Sequence, residues 1–254
     1  MTDAGAPRGA PPRPGVLEEQ RWPAVREAAW PVALLPFGAT EPHNTHLPYG
    51  TDTLLGREVA ARVAAACLAR GTGVVALPAL PYGVNTTQLD LPLTINVMPS
   101  TQLALLRDVV RSLAPHGVRA LVRELQPETS LVLAVVNWWQ AGDPAHFAEP
   151  GDHAGALETA ALLHVAPGLV HPDRSGWGAG VAHPSVFAGV RAGWAWLPRR
   201  WTQVTADTGV GNPAEATAAQ GEAFMAQAVA RIAVFCEALA TADPGALWAP
   251  ASAP

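Results

Sequence analysis

Glu41, His43, His46 and Asp52 fall within twelve consecutive residues, in the run Glu41-Pro-His43-Asn-Thr-His46-Leu-Pro-Tyr-Gly-Thr-Asp52. Carboxylates supply hard oxygen ligands and imidazole supplies nitrogen. That mixture suits Zn²⁺, Mn²⁺ or Fe²⁺, and suits neither Ca²⁺ nor a thiolate site. Asp52 has two oxygens and could bridge a metal pair. Two ions about 3.5–4 Å apart lower the pKa of a shared water and polarise a carbonyl. Pro42 and Pro48 forbid a regular helix here, so a rigid irregular loop can turn several side chains toward one point. By residue type alone the same run would also serve as a polar surface loop.

Further along, Gly151-Asp-His153-Ala-Gly155-Ala-Leu-Glu158-Thr159 is a glycine-bearing turn leading into a helix. On its own it reads as a capping region with a polar histidine. Asn137-Trp138-Trp139 follows an apolar run, and paired tryptophans could wall a small flat substrate, or serve as core or subunit interface. Trp194, Trp196 and Trp201 cluster later. Pro81–Thr86 is a Gly-containing loop whose Asn85 joins Trp138 and Trp139 as a candidate substrate contact. Asp207–Asn212 contains Gly-Val-Gly without the strand-turn-helix context of a dinucleotide site, so it is expected to shape a pocket edge. Cys67 sits in an Ala-rich helical stretch with no base nearby in sequence, and core packing is the expected role.

The elements that must position these groups alternate. Val32–Phe37, Val74–Leu77, Val118–Val122 and Leu131–Val136 read as buried strands. Helical patterns cover Thr53–Arg70, Ser100–Leu113 (capped by Ser100 or Thr101), Glu158–Val165 and Pro213–Ala240, the last with Pro213 in its first turn. Such alternation predicts a single three-layer α/β/α domain with a mostly parallel central sheet. Residues 1–16 and 242–254, rich in Pro, Ala and Gly, read as tails around a domain at 17–241.

Composition narrows the classes. Hydrophobic residues make up 49% and charged residues 15%, with a net charge of -5, so a large core is available and nucleic acid has no basic footprint. Polar or Pro/Gly residues interrupt the apolar runs, so no membrane span is expected. The N-terminus lacks the apolar centre of a secretory signal. Two isolated cysteines fit a reduced compartment. A cytoplasmic protein is the expectation.

The order E-x-H-x-x-H-L-P-x-x-T-D from Glu41 to Asp52 closely resembles the creatininase (creatinine amidohydrolase) family, whose members carry E-x-H-G-x-H-L-P-x-x-T-D after their first strand; here Asn44 stands where Gly is usual. His153 to Thr159 resembles the family's H-A-G-x-x-E-T segment. The resemblance covers most of residues 17–240. It implies a hydrolase cleaving the C–N bond of a small cyclic or linear amide through a metal-bound hydroxide. It implies Glu41, His43, Asp52 and Glu158 as metal ligands, His46 as a supporting residue and His153 as the proton-transferring residue. It further implies Zn and/or Mn, with Fe as an option, two ions per subunit, and a homo-oligomer, often a hexamer.

One departure matters. A parallel crossover needs about 10–12 residues or more, and only residues 123–130 separate the third and fourth strands. Either those strands pair antiparallel, or a segment is absent. Family members carry an N-G-H-G-G-N-like segment there, whose His binds metal; this chain runs from Val122 straight to Arg123-Glu-Leu-Gln-Pro-Glu. The resemblance therefore carries a second implication: a catalytically impaired member kept as a subunit or binding protein. His116 or His146 could in principle replace the ligand.

Overall fold

The computed structural model describes residues 11–122 and 131–248. Strands β1 (Val32–Leu34), β2 (Val74–Ala76), β3 (Ala120–Val122) and β4 (Val132–Leu133) form one sheet in the order β2-β1-β3-β4. Every ladder is parallel, with Val32 facing Val74 on one side and Ala120 on the other. Ala120 pairs with Val132 and Leu121 with Leu133, also in parallel, which rules out the antiparallel hairpin. The connection at residues 123–130, where the family segment would start, lies outside the described residues.

The helices are α1 (Trp22–Glu27), α2 (Thr51–Ala69), α3 (Pro99–Leu113), α4 (Trp138–Ala141), α5 (Ala156–Val165), α6 (Ala188–Arg191), α7 (Trp201–Val204) and α8 (Ala218–Thr241). Val32, Leu34, Val74, Ala76 and Val132 face a core shared with α2, α5 and α8. Ala33, Leu35, Val75 and Leu77 face the other way, toward Leu106 and Val110 of α3. Burial on both faces is why these strands are continuously apolar rather than alternating. The three-layer α/β/α architecture is the one expected.

Several boundaries differ from expectation for identifiable reasons. Helix α8 starts after Thr217, not at Pro213. Thr217 Oγ1 accepts from the Gln220 N–H at 3.2 Å and Gln220 Oε1 accepts from the Thr217 N–H at 2.9 Å, a reciprocal cap that stops the helix there. Helix α3 is entered from Met98, with Pro99 in its first turn. Residues 13–16, grouped with the leading tail by composition, pack on the sheet: Val16 is buried, and the Gly15 carbonyl accepts from Ala76 N–H at 2.8 Å. Contrary to the expectation from interrupted runs, α8 is long and apolar enough to cross a bilayer by composition alone. Its Phe224, Met225, Ala228, Ile232 and Cys236 are instead buried in the core. Gly221 lets α8 touch α5 backbone to backbone, since a Cβ there would lie 2.0 Å from the Ala160 carbonyl oxygen.

Candidate metal centre

Glu41 and His43 sit on the loop leaving β1, while Asp52 and Glu158 lie in the first turns of α2 and α5. Helix N-termini favour anionic side chains, so both acids occupy positions that tolerate their charge. Glu158 Oε2 also accepts the Ala154 N–H at 2.6 Å. The loop turns at Asn44, whose φ is 55°. That left-handed region is free for Gly and is best tolerated otherwise by Asn or Asp, which explains how Asn stands where the family has Gly. The Asn44 side chain then ties the loop to Gly178, donating to its carbonyl at 3.0 Å and accepting its N–H at 3.1 Å.

The His43 imidazole in this loop meets that of His153, from the turn before α5, with ring centroids 4.2 Å apart. His43 Nδ1 lies 3.0 Å from the Glu41 carbonyl oxygen, and His153 Nε2 lies 2.8 Å from that of Pro42. Carbonyls only accept, so both of these nitrogens carry hydrogen. The other nitrogens face carboxylates: His43 Nε2 is 3.3 Å from Asp52 Oδ1, and His153 Nδ1 is 3.7 Å from Glu41 Oε1. Anchoring one ring nitrogen on a backbone carbonyl is how metal-binding histidines are usually oriented. Ligand-type atoms of Glu41, His43 and His153 lie within 4.8 Å of one another, as do those of His43, Asp52 and Glu158.

Electrostatics follow from crowding acids in a dry place. Burial, then the Asp52 charge, pushes Glu41 up to about 7. Burial, with Asp52 adding to it, pushes Glu158 up to about 7. For His43, burial opposes protonation, but the hydrogen bond to Asp52 and the surrounding carboxylates outweigh it and raise the imidazole to about 10. Burial likewise opposes ionisation of Asp52, and His43 overrides it, so its pKa falls. Burial and the His43 charge hold His153 and His46 down at about 4, leaving both neutral near pH 7. A proton on His43 thus stands where a cation would. Three convergent carboxylates and two oriented imidazoles, two of the acids held partly protonated, are a donor set that fits a divalent ion.

The remaining candidates divide. Trp138 and Trp139 line a cleft of about 370 Å³ together with Asp52, His153 and Glu158. Trp138 is steadied by Phe224, 6.2 Å away edge to face. Asn85 is not among the residues lining that cleft. Its side-chain amide donates to the Ile95 carbonyl at 3.1 Å and its backbone N–H to Asn96 Oδ1 at 2.7 Å, so it shapes the neighbouring loop. His46 stands behind the centre, bonded to Thr159 Oγ1 at 2.8 Å and stacked on Trp177. Among the described residues, neither His116 nor His146 joins a candidate ligand group; His146 packs edge-on against Phe224. Trp201 is buried against His153, whereas Trp194 and Trp196 are exposed. The Asp207–Asn212 loop pairs with the His153 backbone through Val210.

Sequence reasoning missed Gln88. It is buried, and its Nε2 donates to Glu41 Oε2 at 2.9 Å, fixing that carboxylate. No local pattern announces it, because the partner is far away in sequence.

The chain matches a family model described as Creatininase: Creatinine amidohydrolase, over residues 18–236. A mycofactocin precursor peptide peptidase from Mycobacterium ulcerans (strain Agy99) is 30% identical over 223 residues, covering 80% of this chain and 83% of that protein. A creatinine amidohydrolase from Pseudomonas putida is 28% identical over 180 residues, covering 56% of this chain and 67% of that one. Among solved structures, one from Bacteroides fragilis NCTC 9343 assigned to the creatinine amidohydrolases superposes with a TM-score of 0.83 at 33% identity, covering 93% and 99% of the two chains. A creatininase solved as its Mn form superposes with a TM-score of 0.70 at 22% identity, covering 90% and 100%, which shows the fold.

Proposed function

The chain belongs to the creatininase family of hydrolases, and from that premise we propose that it is a metal-dependent amidohydrolase cleaving a C–N bond of a small cyclic or linear amide. The observation that carries this is the proximity of ligand atoms in two overlapping groups, Glu41 with His43 and His153, and His43 with Asp52 and Glu158, with Asp52, His153 and Glu158 on a cleft walled by Trp138 and Trp139. Glu41, His43, Asp52 and Glu158 would hold the metal. A bound Zn²⁺ or Mn²⁺ supplies Lewis acidity toward a carbonyl and lowers the pKa of water. His43 is oriented by the Glu41 carbonyl, so its Nε2 would be the atom offered to the ion. His153 is tied through Nε2–H to Pro42, so Nδ1 is the atom left to take up a proton and pass it to the leaving nitrogen. Gln88 keeps Glu41 from rotating. The tryptophans position a flat substrate and exclude water. Relatives are named for creatinine, a cyclic amide, and for a precursor peptide, and both substrate shapes stay within the proposal.

The short connection at residues 123–130 favours a second reading, a family member that binds without turnover. Metal content with amidase assay separates the two. Near two equivalents of Zn or Mn retained after dialysis, with turnover of an amide, supports the hydrolase. Less than about half an equivalent, with no activity on added metal, refutes it in favour of the second reading.

A further inference from the structure

Glu41 and His43 arrive on the loop leaving β1, whereas His153 arrives on the turn before α5. A third stretch, residues 207–211, touches both. Thr208 Oγ1 accepts the Asn44 N–H at 2.8 Å, one residue past His43. Two residues on, Val210 exchanges backbone hydrogen bonds with His153: its N–H donates to the His153 carbonyl at 2.7 Å, and its carbonyl accepts the His153 N–H at 3.0 Å. The Thr208 carbonyl accepts from Trp201 Nε1 at 3.0 Å, and the Trp201 ring lies edge-on to the His153 imidazole, 5.2 Å away.

This stretch is not relaxed. Thr208 has φ 64°, a left-handed conformation that a β-branched residue enters only under constraint. The constraint is Asp207. Its Oδ1 accepts from Thr205 Oγ1 at 2.9 Å and from the Gly209 N–H at 3.0 Å, and its Oδ2 accepts the Gly180 N–H at 2.9 Å. One carboxylate thus ties the stretch to itself and to the loop at 178–180. Asn44 is drawn into the same knot: a Cβ at Gly178 would strike Asn44 Oδ1 and Asp207 Oδ2, and one at Gly209 would strike the Asn44 amide. Groups that orient metal-binding side chains from behind matter to the centre, and their loss costs about 10- to 100-fold in metal affinity.

We propose that Asp207 and Thr208 are positioning residues of the metal centre: they brace the loop at 41–46 against the His153 turn and so fix the separation of the His43 and His153 imidazoles. This rests on the hydrolase reading above and deepens it. Asp207 acts by holding Thr208 in its strained conformation. Thr208 acts through the Asn44 N–H, next to His43, and through Trp201, which backs the His153 ring.

The test uses the full chain and four variants: Thr208→Val, Thr208→Ser, Asp207→Ala and Val110→Ala. Thr208→Val keeps the shape and removes the acceptor, and Thr208→Ser keeps the acceptor. Val110→Ala opens a cavity under α3, on the other face of the sheet, and reports on lost stability alone. Mn²⁺ affinity, read by chelator competition, falls about tenfold in Thr208→Val and Asp207→Ala. It returns to within about twofold of the unaltered chain in Thr208→Ser, and it holds in Val110→Ala although the denaturation midpoint drops. A second arm needs no metal: in hydrogen–deuterium exchange of metal-free Asp207→Ala, the amides of 43–46 and of 152–154 are released together, about tenfold and ahead of the α2 core. If the unaltered chain binds Mn²⁺ yet cleaves no amide, the hydrolase reading falls and the affinity arm still decides the brace. If it retains no Mn²⁺, that reading falls and exchange alone decides: release of both segments upholds the brace, and release of one or neither overturns it. The brace is also overturned if Thr208→Val and Asp207→Ala lose stability with affinity unaltered, or if Thr208→Ser loses as much affinity as Thr208→Val.

Discussion

Raising the pH from 6 to 8 should tighten metal binding far more than ordinary carboxylate and imidazole ligands would allow. Ligands must lose their protons to bind, and this cluster holds its protons unusually well, with Glu41 and Glu158 at about 7 and His43 at about 10. Over that interval each carboxyl goes from about one-tenth to about nine-tenths ionised, contributing about tenfold apiece. His43 stays protonated throughout, so its contribution is about tenfold per pH unit, or about a hundredfold. The product is on the order of 10⁴. At pH 7, filling the cluster should release about two protons, half of one from each glutamic acid and one from His43. Unperturbed groups would change affinity only a few-fold, since isolated carboxyls are ionised above pH 6 and isolated imidazole is half neutral near 6.5. The assay is chelator competition for Mn²⁺ at pH 6, 7 and 8, with proton release from calorimetry in buffers of different ionisation enthalpy. A change of less than tenfold between pH 6 and 7, or release of well under one proton, would refute the reasoning.

Three further outcomes follow from the same contacts. Gln88→Leu removes the donor to Glu41 Oε2 and should weaken Mn²⁺ affinity about 10- to 100-fold, while Gln88→Glu, adding a fourth acid, should steepen the pH dependence; chelator competition reads both. Gly221→Ala drives a Cβ into the Ala160 carbonyl, should cost about 1–3 kcal/mol by chemical denaturation, and should also lower metal affinity, because α5 carries Glu158; unaltered affinity with lost stability would detach the site from that helix contact. In the metal-free protein, melting temperature should fall as pH rises from 7 to 9. His43 keeps its proton only when folded, so its stabilisation is complete below about 6.5 and is lost on the way to about 10. The glutamic acids, half ionised at about 7, finish changing near about 8 and lower stability in the same direction, and His46 and His153, held down at about 4, contribute no slope above their unfolded values. One proton over two pH units is about 3 kcal/mol, or about 5–10 °C for a chain of this size, and scanning calorimetry in chelator would detect its absence.

What the sequence determined by itself was the chemistry and the layering. The order from Glu41 to Asp52 names a donor set, because residue type sets ligand hardness and two prolines keep the run irregular. The apolar runs in β1 and β2 announce a sheet covered on both faces, because no face of them is polar. Helix α2 was legible from Leu55, Val59, Val63 and Cys67, all on its buried face. Tertiary structure decided what depends on distance in space. The parallel pairing of β3 with β4 was open in the sequence, because register belongs to the sheet and not to either strand. The start of α8 at Thr217 overrode the pull of Pro213, because satisfying free N–H groups outweighs a favourable φ. Asn85 was read as a substrate contact from its loop, and the fold adds that its side-chain amide donates to the Ile95 carbonyl. Gln88, which fixes Glu41, had no signature at all. The ligating loop was written locally, in one short run. The proton affinities that govern it arise only when Asp52 and Glu158, delivered by two separate helices, are held half-buried against the buried His43, since the field of a charge depends on its place in the fold rather than its place in the chain.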